Sequence, residues 1–279
     1  MLFKTYLAAG ALASGAMAGT MKKTHRCGAP PMTDERRELN QQFSIEEAEA
    51  LMNGAFSAEV KADIPVSVYL HSVSAKQSTL LSDETLRKQM DVLTKDFTGS
   101  GFKLTLANTT KTVNAAWAGG SNEMAMKKKL RQGNYRDLNL YFLDNLPGLL
   151  GFCYFPTNAP KGSDDFYRDG CVNAANSVPG GKPPFDLGKT AVHESGHWFG
   201  LEHTFEGGCD EPGDGVADTP AQESSTSGCP VGRDSCPNQP GLDPIHNYMD
   251  YSDDACYEEF TAGQKTRMMS YWTKYRAGK

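Results

Sequence analysis

The residues best equipped for chemistry lie in one run of eleven, His193-Glu194-Ser195-Gly196-His197-Trp198-Phe199-Gly200-Leu201-Glu202-His203. The run fits H-E-x-x-H-x-x-G-x-x-H at every fixed position. On a helix, residues four apart share a face, so His193 and His197 aim imidazole nitrogens at one ion and Glu194 faces the same space. Gly200 is free to take a positive φ, ending the helix and returning the chain so that His203 becomes a third ligand. Three neutral imidazoles leave the fourth tetrahedral position to water, which is the arrangement of catalytic rather than structural zinc. The expected chemistry is hydrolysis: zinc acidifies that water and polarises a peptide carbonyl, while Glu194 takes the proton and delivers it to the leaving amine. At average residue frequencies the whole pattern arises by chance in roughly one chain in 10⁵, against about one in a hundred for H-E-x-x-H alone. A structural zinc site prefers cysteine and has no use for a base at Glu194.

Such a helix needs a frame, and the flanking chain supplies one. Gly188 to Leu201 reads as a helix opened by the breakers Pro179-Gly180-Gly181-Lys182-Pro183-Pro184. Upstream, Ile64 to Leu70, Phe102 to Leu106, Leu138 to Leu143 and Leu149 to Phe155 read as strands. Between the first two, Asp83 to Phe97 carries Leu86, Met90, Leu93 and Phe97 at helical spacing. The implied class is α/β. From Phe205 to Ala255 the composition turns to Gly, Pro, Asp, Ser and Cys without periodicity, so that region requires cross-links to hold its shape. A closing helix is expected from about Thr261 to Tyr275.

At 279 residues, one catalytic core is expected over 63–279. Residues 1–18 read as a secretory signal, with Lys4, an apolar run from Tyr6 to Gly15, and Ala16-Met17-Ala18 as the cleavage site. The run is too short for a membrane anchor, which needs about 20 residues. Residues 19–62 read as a propeptide or linker that need not belong to the core, with a helix near Ser44 to Met52. The net charge of −6 and the lack of a basic stripe exclude a nucleic-acid partner. Lys127, Lys128 and Lys129 are expected on a solvated face, and His71 and His246, without motif partners, are read as structural. Asn108-Thr109-Thr110 is a glycosylation sequon expected on a surface loop.

With the His193 to His203 run in view, the chain resembles the metzincins, metalloproteases named for this motif and for a Met-containing turn below the zinc. Asn247-Tyr248-Met249-Asp250-Tyr251 is similar to that turn, and Asp218-Thr219-Pro220 and Phe260-Thr261-Ala262-Gly263-Gln264 resemble strings of the pappalysin family. The likeness is greatest to fungal secreted members, over roughly Val66 to Met268. It implies a twisted mixed sheet with two long helices above the cleft and an irregular, disulfide-linked lower half. Alone, Met249 reads as a core filler and Tyr251 as a packed loop residue. The resemblance implies instead that Met249 is the floor beneath the imidazoles and that Tyr251 stabilises the oxyanion. It further implies that Leu149 to Phe155 is the edge strand along which an extended protein or peptide substrate lies. Related enzymes that prefer basic side chains place an acid in the neighbouring pocket, where Asp253 and Asp254 lie nearby.

Seven cysteines in an exported chain imply disulfides and one odd thiol. Cys209, Cys229, Cys236 and Cys256 allow three pairings; the family pattern implies Cys209–Cys236 and Cys229–Cys256, each worth about 3 kcal/mol. Cys153 and Cys171, in adjacent strand segments, are expected to form a third bridge, a departure from relatives. Cys27 remains. Arg26-Cys27-Gly28 resembles the cysteine switch of latent metalloproteases, in which a propeptide thiolate fills the open zinc position; a free or intermolecular thiol is the alternative. Relatives bind calcium near Cys209 to Asp218, which makes Asp214, Asp218 and Thr219 candidate Ca²⁺ ligands. The expectation is a monomeric zinc endopeptidase working at neutral to mildly alkaline pH. Its rivals are a secreted zinc-binding protein without catalysis and a zinc amidase.

Overall fold

The computed structural model describes residues 25–53, 63–210 and 212–279. The expected signal segment, 1–18, and parts of 19–62 lie outside them. In chain order the elements are β1 (His25–Cys27), α1 (Asp34–Met52), β2 (Ile64–Ser74), α2 (Asp83–Asp96), β3 (Phe102–Val113) and α3 (Ala115–Ala118). Then follow α4 (Glu123–Leu130), β4 (Leu138–Leu143), β5 (Leu149–Cys153), α5 (Asp164–Arg168), β6 (Cys171–Ala174), α6 (Lys189–Trp198) and α7 (Ala262–Tyr275).

The strands form one sheet in the order β1-β5-β6-β4-β2-β3. Neighbours among β6, β4, β2 and β3 run parallel, β5 is antiparallel to β6, and β1 is parallel to β5. This is the expected mixed sheet. Every residue of β4, the polar Asn139 included, is buried, as suits an inner strand with parallel neighbours. β2 and β3 outrun the predicted Leu70 and Leu106, because Ser and Thr on an outer pair hold extended backbone as well as Val does. Val68 pairs with Leu106 and Tyr69 with Asn108, so Ala107 is a bulge. Asn108 is exposed as expected, but on this edge strand rather than a loop, with its amide donating to Gln132.

Helix α2 is capped by Ser82, whose side chain accepts from Thr85 N–H, with Asp83 and Glu84 in its first turn. Its Leu86, Met90 and Leu93 share a core with Val192, Trp198 and Phe199 around the end of α6. The chain beyond α7 is tied to the same place: the Arg276 guanidinium lies 3.6 Å from the centre of the Trp198 ring and donates to Asp169 and to the Trp198 carbonyl. Two packing elements therefore fix α6 from either side.

Two expectations need correction. The helix before residue 63 starts at Asp34 rather than near Ser44; this α1 packs on α7, and β1 extends the sheet. Thr33 caps α1 by accepting from Arg36 N–H; only Asn40 and Phe43 of the helix are buried, which is why apolar periodicity missed its first half. Lys127 is buried, not solvated. Its ammonium donates to the Arg168 and Gly170 carbonyls and pairs with Glu123 at 2.9 Å, so all three protons are satisfied.

Candidate metal centre

Every residue of α6 from Thr190 to Trp198 is buried. His193 Nδ1 donates to the Tyr248 carbonyl and His197 Nδ1 to the Leu201 carbonyl, each at 2.7 Å. Those bonds fix both tautomers and turn both Nε2 atoms inward. His203 stacks on Phe205 with ring centres 4.8 Å apart, and its Nε2 comes 3.1 Å from His197 Nε2. Two such nitrogens on a tetrahedral ion would stand about 3.3 Å apart, given metal–nitrogen distances of about 2.0 Å. His193 Nε2 and Glu194 Oε1 are buried without a hydrogen-bond partner among the described residues.

Burial pulls the three imidazoles down, His197 to about 4, and pushes Glu194 up to about 8. The Cys27 thiol is raised as well, by burial first and then by the Glu194 carboxylate. Neutral imidazole is the ligand form, and a divalent cation among these groups would supply the charge that lets Glu194 ionise. The residues present therefore fit a metal.

The turn that returns His203 depends on Gly200, at φ 99°, where a Cβ would also lie 2.2 Å from the Tyr271 ring. Beneath the histidines, Met249 is fully buried with its sulfur so close to α6 that a Cβ on Gly196 would meet it at 2.4 Å. Asn247 accepts from Met249 N–H and exchanges side-chain hydrogen bonds with Gln264, which forms the capping box of α7 with Thr261. The Phe260 to Gln264 string thus anchors the turn that carries Met249. Tyr251 stands at the rim, its hydroxyl 3.3 Å from His203 Nε2 and 3.3 Å from the Cys27 carbonyl.

Cys27 is free and buried, and its Sγ and the ligand nitrogens of His193, His197 and His203 all lie within 4.8 Å of one another. The thiol donates to Glu194 Oε2 at 3.4 Å. Strand β1 pairs with β5 through His25–Leu149 and Cys27–Gly151, and Gly28 N–H donates to the Gly151 carbonyl. Arg26 turns into a pocket where it donates to the Ser252 carbonyl and pairs with Asp254 at 3.2 Å, flanked by the Tyr257 and Phe185 rings at 4.5 and 4.9 Å. Asp254 is the buried one of the two acids noted from the sequence; Asp253 is half-buried and away from this contact. Farther along, Arg36 of α1 pairs with Glu202 at 2.5 Å over the Phe155 ring, and Glu47 pairs with Arg267. No sign of the partners of Arg26 or of the Arg36–Glu202 pair is present in the sequence, because nothing local marks partners more than 160 residues away.

All three disulfides form, Cys153–Cys171, Cys209–Cys236 and Cys229–Cys256, the first joining directly paired residues of β5 and β6. The structure does not gather Asp214, Asp218 and Thr219 around one point. Asp214 accepts from Val216 N–H and the Thr219 hydroxyl, whereas both oxygens of Asp218 are taken by Thr261 and Gly263 at the start of α7. His71 is buried between Thr110 and Asn139, and His246 sits beside the Cys229–Cys256 bridge, donating to the Cys256 carbonyl.

The mixed sheet, the three histidines on and just beyond α6 and the methionine turn define a metalloprotease of the metzincin type. A family model described as pregnancy-associated plasma protein-A, Peptidase_M43, matches residues 183–272. Extracellular metalloproteases of Pyricularia oryzae and Podospora anserina are 53% and 52% identical to the chain, covering 99% of it and 98% and 99% of their own lengths. The chain belongs to this pappalysin family. Among solved structures, mature mirolysin of Tannerella forsythia in complex with a cleaved peptide is similar at a TM-score of 0.65 and 28% identity, over 76% of this chain and 92% of that one. A promirolysin mutant of the same organism is similar at 0.66 and 26% identity, over 89% and 94%.

Proposed function

We propose that the chain is a secreted zinc endopeptidase held latent by its own N-terminal segment. The observation that carries the reading is the convergence of three buried imidazoles beside a buried, unpartnered Glu194 oxygen. Bound to His193, His197 and His203, zinc would acidify a water and polarise a substrate carbonyl. Glu194 then holds the proton at its carboxylate and releases it to the leaving amine, an assignment supported by its place on α6 beside the three imidazoles. Tyr251 would donate its hydroxyl to the developing oxyanion, and Met249 would keep α6 and the ligands in place.

The latent state is supported by Cys27, whose sulfur reaches the three histidines while β1 occupies the β5 edge that a substrate strand would need. The promirolysin likeness spans 89% of the chain and the mature one 76%, which agrees with an N-terminal prosegment. Once the segment leaves, Asp254 between Phe185 and Tyr257 suits a basic substrate side chain, as Arg26 shows by filling that pocket now. Secretion is supported by the signal-like first 18 residues and by relatives named extracellular metalloproteases; among the described residues no helix is long and apolar enough to cross a membrane. Glycosylation at Asn108 is supported by its exposure. Of the three candidate calcium ligands Asp214 and Thr219 meet and Asp218 is engaged by α7, and the reading requires no calcium.

Casein cleavage by the matured protein tests the proposal. A chelator should abolish it, added zinc should restore it, and Glu194→Gln should lower the rate by about 10²–10⁴-fold. Undiminished proteolysis in Glu194→Gln refutes the mechanism.

A further inference from the structure

Glu202 is an unusual residue to find inside the ligand run. It is an acid only 5% exposed, and its Oε1 accepts from Arg36 Nε at 2.5 Å and Asn40 Nδ2 at 3.3 Å. Both donors belong to α1. After Arg36, the other charge that acts on it is Glu206, which is negative. The Arg36 guanidinium also lies 3.9 Å from the centre of the Phe155 ring, and that ring lies 5.2 Å from the ring of His197. Tyr271, whose hydroxyl donates to Asn40, lines a cavity of about 650 Å³ with Arg36, Phe155, Tyr154 and Pro156; Glu202 lies behind Arg36 rather than on its wall.

With α1 removed, this corner would present the Glu202 carboxylate, its partners Arg36 and Asn40 gone, beside the face of Phe155. That is the chemistry that recognises a guanidinium or ammonium group. Its position matters too. The Arg26 pocket belongs to the residue before Cys27, alongside the start of β5, whereas Phe155 lies two residues beyond the end of β5. The metal ligands lie between them.

We infer that Glu202 and Phe155 form a second subsite for a basic substrate side chain, on the opposite side of the scissile bond from the Asp254 pocket. Arg36 fills it in the latent chain as Arg26 fills the other. The inference rests on the proposed latency and on the Asp254 assignment, and it extends them: the mature enzyme selects two basic side chains, one on each side of the cut bond.

The experiment uses the full-length chain, zinc-loaded and allowed to mature, with peptides in which arginine is exchanged for uncharged citrulline at each of three positions on either side of the cleaved bond. Arginine should raise kcat/KM at least tenfold at one position on each side. Glu202→Gln should bring the ratio on one side to within twofold of unity and leave the other side intact, while Asp254→Asn does the reverse. The ratio of two peptides on one preparation cancels any misfolded fraction; Phe155→Leu, which keeps the carboxylate, should reduce the same ratio about threefold. Equal rates for arginine and citrulline on the Glu202 side of the wild type overturn the inference, as does an unchanged ratio in Glu202→Gln. Cleavage of none of the peptides refutes the endopeptidase reading itself, and loss of preference on the Asp254 side alone refutes only that assignment.

Discussion

Replacing Arg26 by alanine tests the latent state where it is held most firmly apart from the metal. Arg26 is 3% exposed and Asp254 1%. Arg26 donates to the Ser252 carbonyl, pairs with Asp254 and lies against two aromatic rings. Removing one partner of a buried pair costs about 3–5 kcal/mol. The lower figure applies, because Asp254 keeps its hydrogen bonds from the Leu187 and Lys189 amides. All of this loss falls on the closed form, since in the open form Arg26 is in water. About 3 kcal/mol raises the open fraction about 10²-fold. The assay is the initial rate of the zinc-loaded full-length chain on a fluorogenic peptide, divided by the rate of the same sample after the prosegment has been cut away. That quotient should rise about 10²-fold in Arg26→Ala. In Arg26→Lys, which keeps the charge and loses the planar contacts, it should rise about tenfold. The matured enzymes should be indistinguishable. A quotient within twofold of wild type would show that Arg26 does not hold the segment shut.

Tyr251→Phe should lower kcat about 10²-fold and leave KM within about twofold, as loss of an oxyanion donor does; equal kcat values would make Tyr251 a packing residue. Gly196→Ala drives a methyl into the Met249 sulfur, a strain of about 1–3 kcal/mol, and should lower the thermal midpoint by about 3–8 °C, with part of the loss recovered in Gly196→Ala/Met249→Ala. Burial holds the His71 pKa at about 4 against 6.5 when free, so the unfolded chain takes up the proton that the folded chain refuses. Stability from this group is complete above pH 6.5 and is lost as pH falls towards 4, by roughly 3 kcal/mol at most. In His71→Gln the acid-side slope of the urea midpoint should flatten accordingly, and an unchanged slope between pH 4.5 and 7.5 assigns the sensitivity elsewhere.

The parts of the site visible in the sequence are those set by short-range geometry. His193, His197 and Gly200 follow from one helix and its end, and β4 and α2 were plain because burial imposes a strict period on them. The dependence of α1 on the core was hidden for the opposite reason: it is held by Arg36–Glu202, Glu47–Arg267 and Asn40–Tyr271, polar contacts that leave no apolar stripe. Lys127 misled for a related reason. A lysine run looks solvated unless three acceptors happen to meet one ammonium, and two of those acceptors are carbonyls about 40 residues away. Asp218 looked like an ion ligand because a carboxylate that caps a helix and one that binds calcium are the same residue in sequence; only the Thr261 and Gly263 contacts separate them.

The geometry also explains how a peptide can lie across a hydrolytic centre without being cut. At Cys27 the group facing the histidines is the side-chain sulfur, while the backbone carbonyl is turned to the Tyr251 hydroxyl. The base is engaged as well, since Glu194 Oε2 accepts from the same thiol. One residue thus takes up the ligand position, the proton acceptor and the oxyanion donor together, each of which hydrolysis requires free. Arg26 and Arg36, in pockets on either side, hold the chain in this register, and a slip along β5 would bury one of them against the wrong partner. On the proposed reading, cutting the segment elsewhere would remove this restraint and leave His193, Glu194, His197 and His203 unchanged.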